Sequence, residues 1–134
     1  MAIRTYSLRA EGGVRLSEHF TVKEFACKDG SDRVTVCSEL VSMLQAIRSH
    51  YCTPVTITSG YRTPEHNANC KGAASDSYHM KGMAADFVVS GVAHCKVRAD
   101  IEAEKIAGVD PSKIGLGYYG GFTHIDSRGK RARF

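Results

Sequence analysis

Two short stretches of this chain carry most of its chemistry and constrain its fold. The first, Ser59–Phe87, reads SGYRTPEHNANCKGAASDSYHMKGMAADF, and the second, Gly117–Asp126, reads GYYGGFTHID. His79 and Asp86 lie in the first stretch, seven residues apart, and His124 lies in the second. Two imidazoles and one carboxylate form a three-ligand set that leaves a fourth zinc position open for water. That arrangement is typical of catalytic rather than structural zinc sites.

The residues around the first histidine favour such a site. Gly82 permits a tight turn after His79, and Met83–Val89 has the composition of a strand. On that strand Ala84 and Asp86 share a face, because residues two apart point the same way, and this leaves little bulk beside the carboxylate.

Several motifs follow one another in a familiar order: SGYRTPEHN, then S-x-H-x-x-G-x-A-x-D at Ser77–Asp86, then G-x-G-Y-Y and F-T-H-I-D. With these motifs the chain resembles the zinc D-alanyl-D-alanine carboxypeptidase family over about Phe20–Arg128. That family includes D,D-carboxypeptidases, D-Ala-D-Ala dipeptidases and phage L-alanyl-D-glutamate endolysins. The resemblance implies one catalytic zinc ion bound by three residues, His79, Asp86 and His124.

The resemblance also implies roles around the metal. The family residue that matches Arg62 holds the substrate or its oxyanion, so Arg62 is expected to stabilise the oxyanion of an amide hydrolysis. Ser77 is a candidate to bind a substrate carboxylate or amide, and Tyr118 or Tyr119 to line the substrate cleft. For each of these residues the alternative is an ordinary hydrogen-bonded loop residue. The metal would polarise the scissile carbonyl and lower the pKa of its bound water.

The general base is where the sequence departs from part of that family. Many relatives carry Glu or Asp three residues before the final zinc histidine, and here that position is Gly121. Asp126 is the nearest carboxylate in sequence, and on a strand it projects to the same side as His124. Asp126 is therefore predicted either to act as the base or to accept the imidazole N–H and fix its tautomer. If neither role holds, the base is expected from the loop around Asp76.

A short helix is predicted near the beginning of the chain. Thr21 and Glu24 have the spacing of a capping box, and Phe20 and Phe25 have the spacing of a hydrophobic staple. The helix is therefore expected to begin at Val22.

The periodicity of the rest predicts an α+β fold. Two longer helices are expected at Ser38–Tyr51, with Ser38 as its N-cap, and at Val92–Ala107, with Gly108 as its stop. Strands are predicted in four places: Pro54–Thr58, Met83–Val89, Ile114–Tyr118 and Phe122–Ser127. The resemblance implies a hedgehog/DD-peptidase-like fold, in which a small antiparallel sheet carries the metal site and is flanked by two main helices and a short N-terminal helix.

Length and composition fit one domain over residues 1–134, with residues 1–19 as an N-terminal arm and residues 128–134 as a basic tail. No stretch approaches the length of a membrane span, and the first dozen residues lack the apolar segment of a secretory signal. The protein is therefore expected to be made in the cytoplasm and to act on the cell wall after release, as a phage lysis enzyme would. We expect a monomer without a specific nucleic-acid partner.

The five cysteines exclude a complete disulfide framework, because their number is odd, and no C-x-x-C spacing indicates a zinc ribbon. Free thiols are expected, although one bridge or a second metal site using Cys27 and Cys37 stays open.

The expected function is zinc-dependent hydrolysis of peptidoglycan stem peptides, either as a D,D-carboxypeptidase or as an L-alanyl-D-glutamate endopeptidase. Two alternatives stay open. A zinc-binding but inactive module that recognises cell-wall peptide would keep the three ligands and lack a base. A nucleic-acid-associated phage protein is suggested only by the basic tail and by an isoelectric point near 8.9.

Overall fold

A computed structural model describes residues 2–70, 73 and 76–134. Its centre is a five-stranded sheet with the strand order β3-β4-β6-β5-β7, and a separate two-stranded ribbon pairs β1 with β2. Every neighbouring pair is antiparallel except β5 and β7, which run parallel. The strands are β1 (Ile3–Ser7), β2 (Arg33–Cys37), β3 (Val55–Ser59), β4 (Ala84–Val89), β5 (Gly115–Tyr118), β6 (Thr123–Asp126) and β7 (Ala132–Arg133).

Helices lie between these strands and confirm the α+β class. The α-helices are α1 (Leu8–Glu11), α2 (Ser38–Tyr51), α3 (Pro64–Asn69) and α4 (His94–Glu102). Short 3-10 helices occupy Val22–Phe25, Tyr78–Lys81 and Pro111–Lys113. No helix among the residues that the structure describes is long and apolar enough to cross a membrane.

The hydrophobic core lies between α2 and the sheet. Leu40, Leu44 and Ile47, at helical spacing on α2, are almost completely buried and belong to one cluster with Phe87 of β4 and Ile125 of β6. Burying one such side chain contributes roughly 1.5–3 kcal/mol. The core therefore joins β4 and β6, two interior strands of the sheet, in one cluster with the longest helix.

The predicted short helix is present and begins at Val22. The backbone N–H of Thr21 donates to the Glu24 carboxylate at 2.7 Å. The rings of Phe20 and Phe25 lie 6.2 Å apart and are both buried. The capping box and the staple therefore form as the spacing predicted.

Two helix boundaries differ from the prediction. The N-cap of α2 is Cys37, and Ser38 is the first helical residue, whose hydroxyl accepts from the Ala2 N–H at 3.1 Å. Helix α4 is shorter than Val92–Ala107: it begins at His94 and ends at Glu102.

The early end of α4 has a local cause. Glu104 adopts a left-handed conformation with φ of 57°. The N–H of Lys105 donates to the carbonyl of Asp100 at 2.9 Å, and that of Glu104 to the carbonyl of Ile101 at 3.0 Å. This pair of bonds is a Schellman motif formed without glycine, and it ends the helix before Gly108.

The basic tail forms part of the sheet rather than a solvated end. Gly115 and Leu116 of β5 pair with Ala132 and Arg133 of β7. Arg128 pairs with Asp126, and Arg133 pairs with Glu102, in each case at 2.7 Å. These contacts fasten the tail to the sheet and to α4, beside the predicted metal ligands.

Candidate active site

Strand pairing brings together the predicted ligands that the sequence separates. In the antiparallel pair β4–β6, Asp86 lies directly opposite His124. His79 lies on the 3-10 helix before β4, and Gly82 ends that helix with φ of 71°. A Cβ on Gly82 would lie 2.4 Å from the carbonyl oxygen of Thr35, so the turn that places His79 requires glycine.

The three predicted ligands converge in a buried cluster. One nitrogen from each histidine and one carboxylate oxygen lie within 4.8 Å of one another. Oδ1 of Asp86 is 3.3 Å from Nε2 of His79 and 2.9 Å from Nδ1 of His124. Ligand atoms about 2 Å from a common zinc ion in tetrahedral geometry lie roughly 3.3 Å apart, so this spacing fits the ion. No other such group of His, Cys, Asp and Glu occurs among the described residues.

The other nitrogen of each imidazole is occupied by an acceptor. Nδ1 of His79 is 2.8 Å from the carbonyl oxygen of Gly60, which can only accept, so this nitrogen carries the proton. Nε2 of His124 is 2.8 Å from Oδ2 of Asp126. When these two remote nitrogens carry the protons, the inner nitrogen of each imidazole presents a lone pair to the negatively charged Asp86 carboxylate. Only a proton or a cation between the nitrogens and the carboxylate relieves the resulting repulsion. This donor set therefore suits a zinc ion, with the histidines oriented as ligating imidazoles usually are.

Asp86 favours its charged form. Burial raises the pKa of this carboxyl, but the hydrogen bonds that His124 and His79 donate when their inner nitrogens are protonated outweigh burial and lower the pKa to about 2. For His124, burial lowers the pKa, whereas the hydrogen bonds that its protonated ring donates to Asp126 and Asp86 raise it and prevail. A cation that binds here therefore takes the place of the proton between His124 and Asp86. The cluster therefore offers an ionised carboxylate to a cation near neutral pH.

Asp126 is fully buried and its oxygens are saturated with donors. Oδ1 accepts from the Gly115 N–H at 3.1 Å and from Nε of Arg128 at 2.8 Å. Oδ2 accepts from Nη2 of Arg128 at 2.7 Å and from His124 at 2.8 Å. Burial raises the pKa of Asp126, but the bonds from Arg128 and His124 hold it well below its ordinary value. Asp126 thus contacts His124 from behind and does not line the cavity.

Arg62 lies beside the triad as predicted. Its Nη2 is 3.6 Å from Oδ2 of Asp86. Its Nε donates to Ser59 at 3.2 Å, its Nη1 donates to Asn67 at 3.3 Å, and its backbone N–H donates to the carbonyl of His79 at 3.1 Å. The side chain is only 15% exposed, so a fixed positive charge points into the site.

A cavity of about 640 Å³ opens over the triad. Ser77 and Tyr119 line it, whereas Tyr118 does not and instead donates its hydroxyl to Glu102 at 2.8 Å. Ser77 accepts the His79 N–H at 3.2 Å, so it caps the turn that carries the ligand. Among the residues that the structure describes, the lining is Arg62, Cys70, Ala73, Asp76, Ser77, Tyr78, His79, Asp86, Tyr119, Phe122, His124, Arg128, Lys130 and Phe134.

No cysteine belongs to the group of His79, Asp86 and His124, although Cys70 lines the same cavity. All five are unpaired, and Cys27 and Cys37 are buried. Cys27 lies 4.0 Å from the hydroxyl of Thr63, and Cys37 lies 3.6 Å from that of Ser127. Neither the bridge nor the second metal site left open by the sequence is formed by these contacts.

Sequence reasoning missed two residues of the cavity wall that lie close to His124 or to its partner Asp126. Arg128 contacts Asp126, and the ring of Phe134 lies 5.1 Å from that of His124. The spacing of the sequence could have indicated Arg128. His124, Asp126 and Arg128 follow one another at intervals of two residues, and residues two apart on a strand point to the same face. Phe134 had no local signal, since it reaches the site only through the pairing of β7 with β5.

Comparison with known proteins adds an independent finding. A family model described as Peptidase M15 matches residues 16–126. The peptidoglycan L,D-endopeptidase MepK of Escherichia coli (strain K12) is 38% identical over 80 residues, which cover 55% of this chain and 40% of that protein. The probable peptidoglycan L,D-endopeptidase MepK of Haemophilus influenzae is 35% identical over 79 residues, covering 54% of this chain and 39% of that protein. The chain thus spans about two-fifths of the length of the curated relatives it matches.

Proposed function

We propose that this chain, which belongs to the peptidase M15 family, is a zinc-dependent peptidase that hydrolyses an amide bond in the peptide part of bacterial peptidoglycan. The observation that carries the proposal is the triad of His79, Asp86 and His124. Its ligand atoms lie within 4.8 Å of one another on the floor of a cavity. Two imidazoles and one carboxylate are the protein ligands of many catalytic zinc sites.

Zinc bound there would polarise the scissile carbonyl and make water a stronger nucleophile. The chain's own residues supply the rest of the site. Ser59 and Asn67 hold the Arg62 guanidinium beside Asp86, where its charge can stabilise an oxyanion without reorganising. Gly60 and Asp126 hold the two imidazoles in the tautomers that leave their inner nitrogens free.

The general base is assigned by elimination among carboxylates. Asp126 is fully buried and its two oxygens already accept from Gly115, Arg128 and His124, so it suits the orienting role and not proton abstraction. Among the described residues that line the cavity, Asp76 is the carboxylate outside the metal triad. We therefore assign the base to Asp76, which takes the place of the acidic residue missing at Gly121.

The similarity to two proteins named as L,D-endopeptidases favours an endopeptidase over a D,D-carboxypeptidase. Release onto the cell wall by a phage lysis system is a further prediction, and it depends only on the family resemblance.

The test is to incubate the zinc-loaded protein with purified peptidoglycan and to identify the new peptide termini by mass spectrometry. New termini at an L,D bond are expected, and they should disappear with a chelator and in His124→Ala. New termini only at D-Ala–D-Ala bonds would instead make the protein a D,D-peptidase.

A second candidate, an inactive zinc-binding module that recognises wall peptide, is favoured by one observation: glycine occupies the position of the usual acidic residue. Asp76→Asn separates the two candidates. A peptidase that uses Asp76 as its base loses nearly all turnover while zinc binding and peptide binding persist. A protein that binds peptide and zinc but releases no new termini, in the native form as in the variant, is the recognition module.

A further inference from the structure

We propose that Arg128 is a positioning residue of the metal site: it fixes Asp126, and through Asp126 the orientation of the His124 imidazole. This inference depends on the proposed zinc site and not on the identity of the peptide that is cut.

The contacts form a continuous chain from the guanidinium to the ligand. Nε and Nη2 of Arg128 donate to the two oxygens of Asp126 at 2.8 Å and 2.7 Å. The oxygen that receives Nη2 also accepts Nε2–H of His124 at 2.8 Å. The opposite nitrogen of the same imidazole faces Asp86 at 2.9 Å.

The geometry of this pair restrains the imidazole. A guanidinium that contacts both oxygens of a carboxylate fixes the plane of that carboxylate, whereas a single hydrogen bond does not fix it. The direction of the acceptor lone pair on Asp126 is then fixed, and with it the plane of the His124 ring. Asp126 has no exposed surface, so donors of the protein and not bulk water satisfy its two oxygens.

Arg128 is itself held by two aromatic rings. Its guanidinium carbon lies 4.5 Å from the ring centroid of Tyr78 and 5.3 Å from that of Phe134. Tyr78 precedes the ligand His79, and the Phe134 ring lies 5.1 Å from the ring of His124. Cation–π contacts with these two rings hold the guanidinium where its fork meets Asp126.

A second arginine on the same tail provides a matched control. Arg133 is 16% exposed, as is Arg128, and it also contacts a carboxylate through Nε and Nη2, at 2.9 Å and 2.7 Å. Its partner is Glu102 on α4, which does not line the cavity. Arg128→Met and Arg133→Met therefore remove similar ion pairs from the tail, but only the first touches the metal site.

The experiment measures zinc affinity by competition with a chromophoric chelator, without any substrate. Arg128→Met is expected to weaken zinc binding on the order of 10–100-fold, the range seen when a group behind a metal ligand is removed. Arg128→Lys should recover only part of the loss, since an ammonium lacks the fork. Arg133→Met should bind zinc as the native protein does, even where its thermal stability falls.

The route through Asp126 is tested by a double-mutant cycle. In an Asp126→Asn background, Arg128→Met should weaken zinc binding by less than about threefold, because its target is already lost. A full additional loss would show that Arg128 acts by another route and would overturn the proposal.

Other outcomes would contradict the positioning role of Arg128 or the proposed zinc site. Equal zinc affinity in Arg128→Met and Arg133→Met would mean that Arg128 only holds the tail in place and does not act on the metal site. If Arg128→Met does not fold, Arg128→Lys carries the test, and native zinc affinity in that variant contradicts the need for a fork. A native protein that binds no zinc contradicts the proposed function itself, which is a separate result.

Discussion

The two histidines of the site are held in different ways. Each has an acceptor behind it and an arginine nearby. His79 donates to the backbone carbonyl of Gly60, and the nearby Arg62 contacts the shared ligand Asp86. His124 donates to the carboxylate of Asp126, and its arginine, Arg128, contacts that acceptor rather than a ligand.

We call His79 with Gly60 and Arg62 the first arm of the site, and His124 with Asp126 and Arg128 the second arm. The difference between the two arms indicates that they have different tasks. A backbone carbonyl is neutral and cannot be removed by substitution, so the first arm is a fixed support whose arginine is free to face the substrate. A carboxylate behind an imidazole makes the ligand more basic, so the second arm strengthens the bond to the metal, and its arginine serves that purpose. We therefore expect substitutions on the first arm to change turnover and those on the second arm to change metal affinity.

The largest expected effect comes from replacing either histidine, and it is the same for both arms. His79→Ala and His124→Ala should each reduce bound zinc from about one ion per chain to nearly none, because two ligands rarely retain the metal. Metal analysis after dialysis measures this, with His50→Ala, at the exposed end of α2, as a control that keeps its zinc. Full occupancy in either ligand variant would remove that histidine from the site.

Arg62→Ala tests the first arm. The side chain contributes a fixed charge to the cavity, so its loss should lower kcat on the order of 10²–10³-fold, the range seen when an oxyanion donor is removed. Zinc content and folding should stay native, as measured by metal analysis and circular dichroism. A raised KM with native kcat would instead assign Arg62 to substrate binding alone.

Asp126→Asn tests the second arm. An amide lacks the charge that Asp126 presents to His124, so zinc affinity should fall on the order of 10–100-fold by chelator competition. Turnover at saturating zinc should fall far less. Nearly complete loss of turnover with native zinc affinity would contradict the orienting role and return Asp126 to the role of base.

The convergence of His79, Asp86 and His124 could be predicted from the sequence because each residue lies in a local motif whose chemistry is readable. Helix α2 could be predicted for the same reason, since its apolar spacing is local. The roles of Asp126 could not be separated, because the deciding contact comes from Arg128 on a tail that returns to the sheet. The end of α4 was missed because Glu104 adopts a conformation that usually requires glycine.

The smallest expected effect concerns the basic tail, residues 128–134. This tail carries Arg128, which belongs to the second arm and not to the first. Glu102 of α4 holds this tail through Arg131 and Arg133 and also accepts from Tyr118. The hydrogen bond from Arg133 is the main cause that lowers the pKa of Glu102 from 4.5 to about 2.

Because the pKa of Glu102 is lower in the folded than in the unfolded protein, its contribution to the free energy of unfolding is complete above pH 4.5 and is lost as the pH falls towards 2. Glu102→Gln should therefore destabilise the protein by on the order of 1 kcal/mol at pH 7, allowing for solvent screening of a partly exposed group. The difference from the native protein should stay constant down to about pH 5 and shrink below it. Denaturant unfolding at several pH values measures this, and Glu104→Gln, two residues along and exposed, controls for loss of charge alone. A difference that did not shrink in acid would mean that Glu102 stabilises the tail by packing rather than by its charge.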